Sequence, residues 1–387
     1  MRVTTAGFGF RVLAWDGAAR AGVLTTPHGE VPTPAFMPVG TRGSVKMLMP
    51  EEVAATGARI VLGNAYHLWL RPGPERVARL GGLHAFTRWP GAMLTDSGGY
   101  QAFSLAGTRV SDDGFTFRSH LDGSRYFLSP EEAMRIQGLL GADIAMALDV
   151  CPPAAAEPSA AQHRLHQDAC RRTSAWARRC LAAKRELQAL FGIVQGGTDL
   201  AMRLSHLEDI AGLPFDGLAL GGFSVGEPNR RMHEVLAELV PRLDPERPRY
   251  LMGVGTPLDL LRAVRAGVDM FDCVLPTRNA RNGQALVPSG RIGIKQARYA
   301  DDGAPLDPDC GCPACRGGYA RAYLRHLFLA GEGLAGRLLS LHNLQLYGTL
   351  MAQARQAILD GRFDAFAGRW SAAALASGDR EPAADPA

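Results

Sequence analysis

Acids, amides and glycines gather at the ends of short apolar runs in this 387-residue chain. In order, those ends read Asn64, Asp96-Ser97-Gly98-Gly99-Tyr100, Asp149, Gln195-Gly196-Gly197, Gly221-Gly222, Gly253 and Asp272. Carboxyl groups can attack carbon or move protons. Glycines let backbone approach a flat ligand where a Cβ would clash. A lone aspartate in such a place can simply cap the following helix. Three aspartates and a glutamine at matching places read instead as one shared site. A second group is of another kind: Cys310, Cys312 and Cys315 are crowded into six residues, while Cys151, Cys170, Cys180 and Cys273 are scattered. In a reducing compartment such a crowd points to metal rather than disulfides.

The runs that carry the first group are PAFMPVG (34–40), RIVLGN (59–64), AMLTDSGG (92–99), DIAMALD (143–149), FGIVQGG (191–197), GLALGG (217–222), YLMGVG (250–255) and MFDCVLPT (270–277). Each is short, nearly continuous in its hydrophobicity and closed by turn residues, which is the pattern of buried parallel strands. Helical patterns lie between most of them. Pro50-Glu51-Glu52 and Ser129-Pro130-Glu131-Glu132 carry helix-start signals. The stretch from Ser159 to Leu190 reads as one long helix, and another opens at Pro257 and runs to Ala266. Eight strands alternating with helices predict an α/β fold, a (β/α)₈ TIM barrel with insertions. One insertion, GFTFRSHLDGSRYFLSP (114–130), reads as a hairpin; another follows the eighth strand and holds the cysteine cluster, about 300–345. The expected organisation is a single domain over 1–375 with a disordered Pro/Ala-rich tail at 376–387. In such a barrel, chemistry sits where strands end.

Composition sets only broad limits. Hydrophobic residues make up 47% and charged residues 21%, ordinary for a globular enzyme. A net charge of +4 and a pI near 8.7 permit contact with nucleic acid without demanding it. No apolar run reaches the roughly 18 residues of a membrane span, and no signal peptide is read at the N-terminus, so the expected location is the cytoplasm.

Taken together, TDSGGYQ (95–101), GIVQGG (192–197), YLMGVGTP (250–257), FDCVLPTRNARNGQA (271–285) and CGCPAC with a later His-Asn (310–315, 342–343) resemble the queuine/archaeosine tRNA-ribosyltransferase family. PAFMPVGTRGSVK (34–46), LGNAYHLWLRPG (62–73) and SHLDGSR (119–125) extend the likeness. It covers roughly residues 3–370 and follows the bacterial members, without the extra C-terminal RNA-binding domain of archaeal ones. The resemblance implies exchange of guanine at the wobble position of tRNAs with GUN anticodons (Asp, Asn, His, Tyr) for 7-aminomethyl-7-deazaguanine. Exchange with retention at one sugar carbon calls for two displacements, as in retaining glycosidases. Asp272 matches the family nucleophile and Asp96 the residue that manages protons. Asp96, Ser97, Gly98, Gly99, Tyr100, Asp149, Gln195, Gly222 and Met252 match the base pocket. Asp149 suits the N–H edge of guanine, Gln195 and the Gly222 N–H its carbonyl side, and Tyr100 and Met252 its two faces, unless those two are ordinary core. The base must first be turned out of its stack.

By resemblance, Gly253, Val254, Gly255, Thr256, Pro257, Leu258 and Asp259 lie along the RNA, and Thr277, Arg278, Asn279, Ala280 and Arg281 contact the wobble region. From Phe271 to Tyr299 stand five basic residues (Arg278, Arg281, Arg291, Lys295, Arg298) and one acid, which suits phosphates. A solvated basic face would look the same. Cys310, Cys312 and Cys315 with His342, after 26 intervening residues, form the ligand set of a closed structural zinc site, one ion per subunit. A homodimer is implied by the resemblance alone. Two positions depart from the bacterial pattern: Val150 stands where Glu is usual and Phe223 where Leu is common, both expected beside the base pocket. The cysteine–histidine gap is one residue longer. Cys151 and Val225 follow bacterial relatives and imply a pocket too full for queuine, with Glu227 supporting the loop beside the aminomethyl group. Two other functions compete for this pattern. A metal-dependent barrel hydrolase needs a His-x-His pair or several His and Asp ligands at strand ends; the first strand is PAFMPVG and the others offer no such cluster. A non-catalytic tRNA-binding paralogue would have lost the acids, yet both Asp96 and Asp272 are kept.

Overall fold

The structure, a computed structural model, describes residues 5–155 and 159–376. The tail expected beyond 376 lies outside the described residues. The described chain opens with an antiparallel sheet of β1 (Gly9–Asp16), β2 (Ala19–Thr26) and β3 (Gly29–Thr33). None of the eight apolar runs falls in this sheet. An Asp16-Gly17 turn joins β1 to β2, with Gly17 at φ +60°, and Asp-Gly is a hairpin signal in its own right.

The barrel follows. Its strands are β4 (Ala35–Gly40), β5 (Ile60–Gly63) and β6 (Ala92–Thr95), then, after an inserted sheet of β7 (Arg109–Val110), β8 (Phe115–Arg118) and β9 (Arg125–Leu128), they resume. The rest are β10 (Ile144–Met146), β11 (Ala189–Val194), β12 (Gly217–Leu220), β13 (Arg249–Leu251) and β14 (Met270–Cys273). All pair parallel in chain order and β14 closes on β4. The eight apolar runs are therefore the eight staves of a (β/α)₈ barrel.

Local chemistry explains the helix starts. The Ser129 hydroxyl accepts from the Glu132 N–H at 3.2 Å ahead of Pro130–Leu140, and Thr256 does the same for Asp259 ahead of Pro257–Ala266. One expected helix is shorter than read. It spans Ala160–Ala183, not 159–190, because Lys184 turns extended and Ala189 already pairs with Ile144 in the barrel. Side chains of Met37, Leu62, Leu94, Met146, Phe191, Ile193 and Met270 fill the barrel, and Phe8, Leu24 and Val31 of the opening segment join the same cluster. The opening sheet is thus a plug at the N-terminal mouth, which leaves the opposite mouth free.

Beyond β14 come a helix at Leu275–Arg281, the hairpin β15 (Gln284–Val287) and β16 (Gly290–Gly293), and helices at Pro313–Arg316, Arg321–Leu329 and Gly333–Leu359. The last of these carries His342, continues to Leu359 and lies against the barrel wall. Tyr347 packs on Phe36 with ring centroids 4.5 Å apart. Gly348 comes so near the Thr56 carbonyl that a Cβ would stand 2.0 Å from its oxygen. Among the described residues no helix is long and apolar enough to cross a membrane.

Candidate active site

At the C-terminal mouth lies a pocket of about 1160 Å³. Its lining includes Asp96, Ser97, Gly98, Gly99, Tyr100, Asp149, Gln195, Gly222, Met252 and Asp272, so the strand ends read from sequence do converge. That volume exceeds what one base fills and leaves room for flanking nucleotides.

Asp272 sits on β14 where two donors meet one of its oxygens. The Tyr250 hydroxyl donates to Oδ1 at 2.6 Å and the Gly253 N–H at 2.8 Å. No donor among the described residues takes Oδ2, which is left for an electrophile. Burial pushes the Asp272 carboxyl up, against the pull of those two donors. Tyr250 was not singled out in the sequence, although its place two residues before Met252 on an inward-facing strand was a usable signal.

Asp96 follows β6. Its Oδ2 accepts from Asn64 Nδ2 at 2.6 Å and its Oδ1 from the Ala65 N–H at 2.8 Å. Asn64 in turn caps the helix Ala65–Leu70 through the His67 N–H, so the amide is fixed at both ends. Burial, with help from the charges of Asp272 and Asp149, raises Asp96 to about 7 despite the N–H groups of Ala65 and Gly98. A carboxyl group at that value can both give and take a proton near neutrality.

Asp149 lies beyond β10. Burial raises it to about 6, while Gln195 Nε2 donates to its Oδ2 at 2.6 Å and opposes the rise. The Gln195 Oε1 has no hydrogen-bond partner among the described residues. Gly222 has φ +69°, and a Cβ there would stand 2.4 Å from that oxygen, so only glycine fits. Tyr100 is 38% exposed, which sets it apart from core aromatics. Met252 both lines the pocket and packs on the barrel core.

The loop after β12 is held from both sides. Glu227 accepts from the N–H groups of Ser224 (2.5 Å) and Val225 (3.0 Å). From below, Arg203 donates to the carbonyls of Gly221 and Gly222 and places its guanidinium 3.7 Å from the Phe223 ring. Phe223 therefore borders the pocket as expected but also roofs a buried cation. Val150 does not line the pocket: it is buried in the core behind it, with its N–H on Thr173 Oγ1. Cys151 and Val225 do line it, and burial pushes the Cys151 thiol up to about 12.

Of the residues expected along RNA, Gly253, Gly255, Thr256, Pro257, Leu258, Asp259, Arg278 and Asn279 line the pocket. Val254 and Ala280 are fully buried and Thr277 nearly so, which leaves them backbone or supporting parts at most. Asp259 is occupied by Thr256, Asn229 and His233, and those bonds outweigh burial to hold its carboxyl low. Gly255 packs where a Cβ would sit 2.2 Å from Cys273, and its carbonyl accepts from Tyr347. In the basic strip, Arg278 and Arg291 reach the pocket, while Lys295 lies over Phe328 and Arg298 over Tyr299.

The ligand atoms of Cys310, Cys312, Cys315 and His342 all lie within 4.8 Å of one another. His342 Nε2 donates to the Leu286 carbonyl at 2.8 Å, so Nδ1 keeps its lone pair. That atom faces Cys312 Sγ at 3.5 Å and Cys315 Sγ at 3.4 Å. Tetrahedral bonds of about 2.3 Å to sulfur and 2.0–2.1 Å to nitrogen give an S···N edge near 3.5 Å. The group can hold a metal ion, and the backbone carbonyl behind the imidazole fixes its tautomer.

The family model of queuine tRNA-ribosyltransferase matches residues 16–375. The chain belongs to this family. A queuine tRNA-ribosyltransferase of Sorangium cellulosum is 69% identical over 367 residues, covering 95% of this chain and 92% of the relative. One of Solidesulfovibrio magneticus is 53% identical over 355 residues, with 91% and 94% covered. One of Cereibacter sphaeroides is 52% identical over 383 residues, with 98% and 100% covered. As a member of the ribosyltransferase family the protein is an enzyme, a pentosyltransferase.

Proposed function

We propose that the protein is a tRNA-guanine transglycosylase that replaces guanine at the wobble position of GUN-anticodon tRNAs with 7-aminomethyl-7-deazaguanine. The observation that carries this reading is Asp272 with one oxygen tied down and one free, sharing a pocket with Asp96 poised at about 7. Asp272 Oδ2 attacks C1′ as the C1′–N9 bond breaks, and Asp96 delivers the proton that the departing guanine takes up. The incoming base then loses its N9 proton to Asp96 and attacks C1′, which frees Asp272. Two inversions keep the β configuration. Asp149 accepts from the N–H edge, while Gln195 and the Gly222 N–H meet the carbonyl. Tyr100 and Met252 flank the ring; stacking is worth about 1–3 kcal/mol per base. Ser97, Gly98 and Gly99 give backbone room. Arg278, Asn279 and Arg281 meet the anticodon loop, with Gly253 to Asp259 along it.

Cys310, Cys312, Cys315 and His342 would hold a structural zinc, which would supply cross-linking of the C-terminal segment and no step of the exchange. The enzyme acts on tRNA in the cytoplasm as one catalytic domain over 1–375, and pairs as a homodimer, which light scattering reads directly. The non-catalytic alternative is disfavoured because both carboxylates are in place.

The test is incorporation of radiolabelled guanine into unmodified tRNA, with denaturing gels to trap a protein–RNA adduct. Wild type should exchange guanine and show the adduct. Asp272→Asn should bind tRNA, show no adduct and lose at least about a thousandfold in rate. Normal adduct in that variant removes Asp272 from its role. In competition, the aminomethyl base should be used well and queuine poorly, because Val225 fills the space a bulky substituent needs.

A further inference from the structure

The cation under the pocket floor takes no part in the steps above. Arg203, on the helix Leu200–Ala211, is fully buried. Burial lowers its guanidinium to about 10, which still leaves it charged at neutral pH. Among the described residues no carboxylate forms an ion pair with it, and an unpaired charge is costly to bury. Its partners are carbonyls. Nε donates to Gly197 O at 2.6 Å, Nη1 to Val194 O at 3.2 Å, and Nη2 to Gly221 O at 2.8 Å and Gly222 O at 3.3 Å. The stem is fitted as closely as the head, since a Cβ on Gly196 would stand 2.8 Å from Arg203 Cγ.

These contacts join the two glycine turns that flank Gln195 and Gly222. The Gly221 carbonyl and the Gly222 N–H are the two ends of one peptide unit. A charged donor on the oxygen draws electron density toward it and makes the N–H at the other end a stronger donor. Gly222 and Cys151 both line the pocket, and the Gly222 N–H is among the groups that pull the Cys151 thiol down against its burial. Phe223 closes the far face of the guanidinium, so water does not dilute the effect.

We propose that Arg203 is a positioning residue for base recognition, holding the Gly221–Gly222 backbone against Gln195 and strengthening the Gly222 N–H toward the carbonyl oxygen of a 6-oxopurine. The proposal rests on the transglycosylase reading for the identity of the base. It predicts oxygen-specific recognition: the arginine matters where the base presents a good acceptor at C6 and little where it does not. A merely structural arginine would weaken every base alike.

The experiment compares full-length wild type with R203M and R203K, each checked for native circular dichroism. Exchange of radiolabelled guanine into unmodified tRNA is inhibited in turn with unlabelled guanine and with 6-thioguanine, whose sulfur is a weak acceptor. Wild type should prefer guanine by at least about tenfold. R203M should bind guanine at least about tenfold more weakly while 6-thioguanine changes less than about threefold. Parallel loss of both bases, or an unchanged preference, overturns the proposal. If R203M is not native, R203K decides, since an ammonium cannot span the four carbonyls. Its preference should fall at least about threefold, and a native R203K with wild-type preference overturns the proposal. Failure of the wild type to exchange guanine at all would instead strike the transglycosylase reading and leave the two outcomes distinguishable.

Discussion

Burial drives Asp96 and Asp149 in the same direction, to about 7 and about 6, and their partners then divide the work. Asp96 has two carboxylates for neighbours and stands near half protonation at neutral pH, so it can exchange a proton with a base. Asp149 has the Gln195 amide instead and is mostly ionised there, so it can accept from a purine N–H edge. The sign of the pH dependence follows. Protonation of Asp149 puts an O–H where the ligand needs an acceptor, so affinity for guanine falls as pH drops through about 6. The KM for guanine should rise about tenfold per unit below that value while the protein stays folded. A KM that stays level down to about pH 5 would remove Asp149 from base reading. Asp149→Asn should raise KM about tenfold to a hundredfold at neutral pH. These carboxylates were legible in the sequence because each ends an apolar run. Arg203 was not, because an arginine within an amphipathic helix looks like any solvated one until its burial is seen.

At the scale of elements, the barrel strands were legible because each is a continuous apolar stretch closed by Gly, Asn, Asp or Gln. The plug sheet was not, because β1 alternates between half-buried and exposed positions and offers no such run. What fastens the plug is also invisible in one dimension. His28, in the turn between β2 and β3, stacks on His84 with ring centroids 3.4 Å apart. Both reach Asp143 ahead of β10, at 2.7 Å and 3.2 Å, while the Met93 N–H reaches it at 2.8 Å. Burial alone would raise the Asp143 carboxyl, but these donors prevail and hold it below its ordinary value. A lowered folded value means the stabilisation is present above the unfolded pKa near 4 and is lost as pH falls below it. Asp143→Asn should cost roughly 1–3 kcal/mol of stability at neutral pH. It should also flatten the acid limb of the melting profile while leaving the KM for guanine unchanged. An unaltered melting temperature would show that the plug is fastened elsewhere.

Across the whole molecule, one helix ties the cysteine cluster to the catalytic barrel. Gly333–Leu359 brings His342 to the thiols near its start and runs on along the barrel wall. Asn343, the next residue, donates to the Pro276 carbonyl and accepts from the Leu286 N–H, so it binds the helix after β14 to the hairpin at β15. Farther on, Tyr347 donates to the Gly255 carbonyl in the loop beside Asp272, and Arg355 donates to the Thr33 carbonyl at 2.7 Å. A metal at the cluster would therefore brace the loop that presents Gly253 to Asp272, though it lies outside the pocket. Structural zinc contributes about 10–16 kcal/mol in small domains, as much as a typical whole domain's stability. Here the barrel has its own core, so the expected result of metal removal is partial. Chelation, verified by elemental analysis, should lower the melting temperature by at least about 5 °C. Exchange activity should fall with the folded fraction and return on adding zinc. Cys312→Ser should behave like the chelated enzyme, because it removes the most enclosed of the thiols. Full melting stability in protein shown to be free of zinc would mean that the helix is held by its packing alone and that the cluster has no structural part.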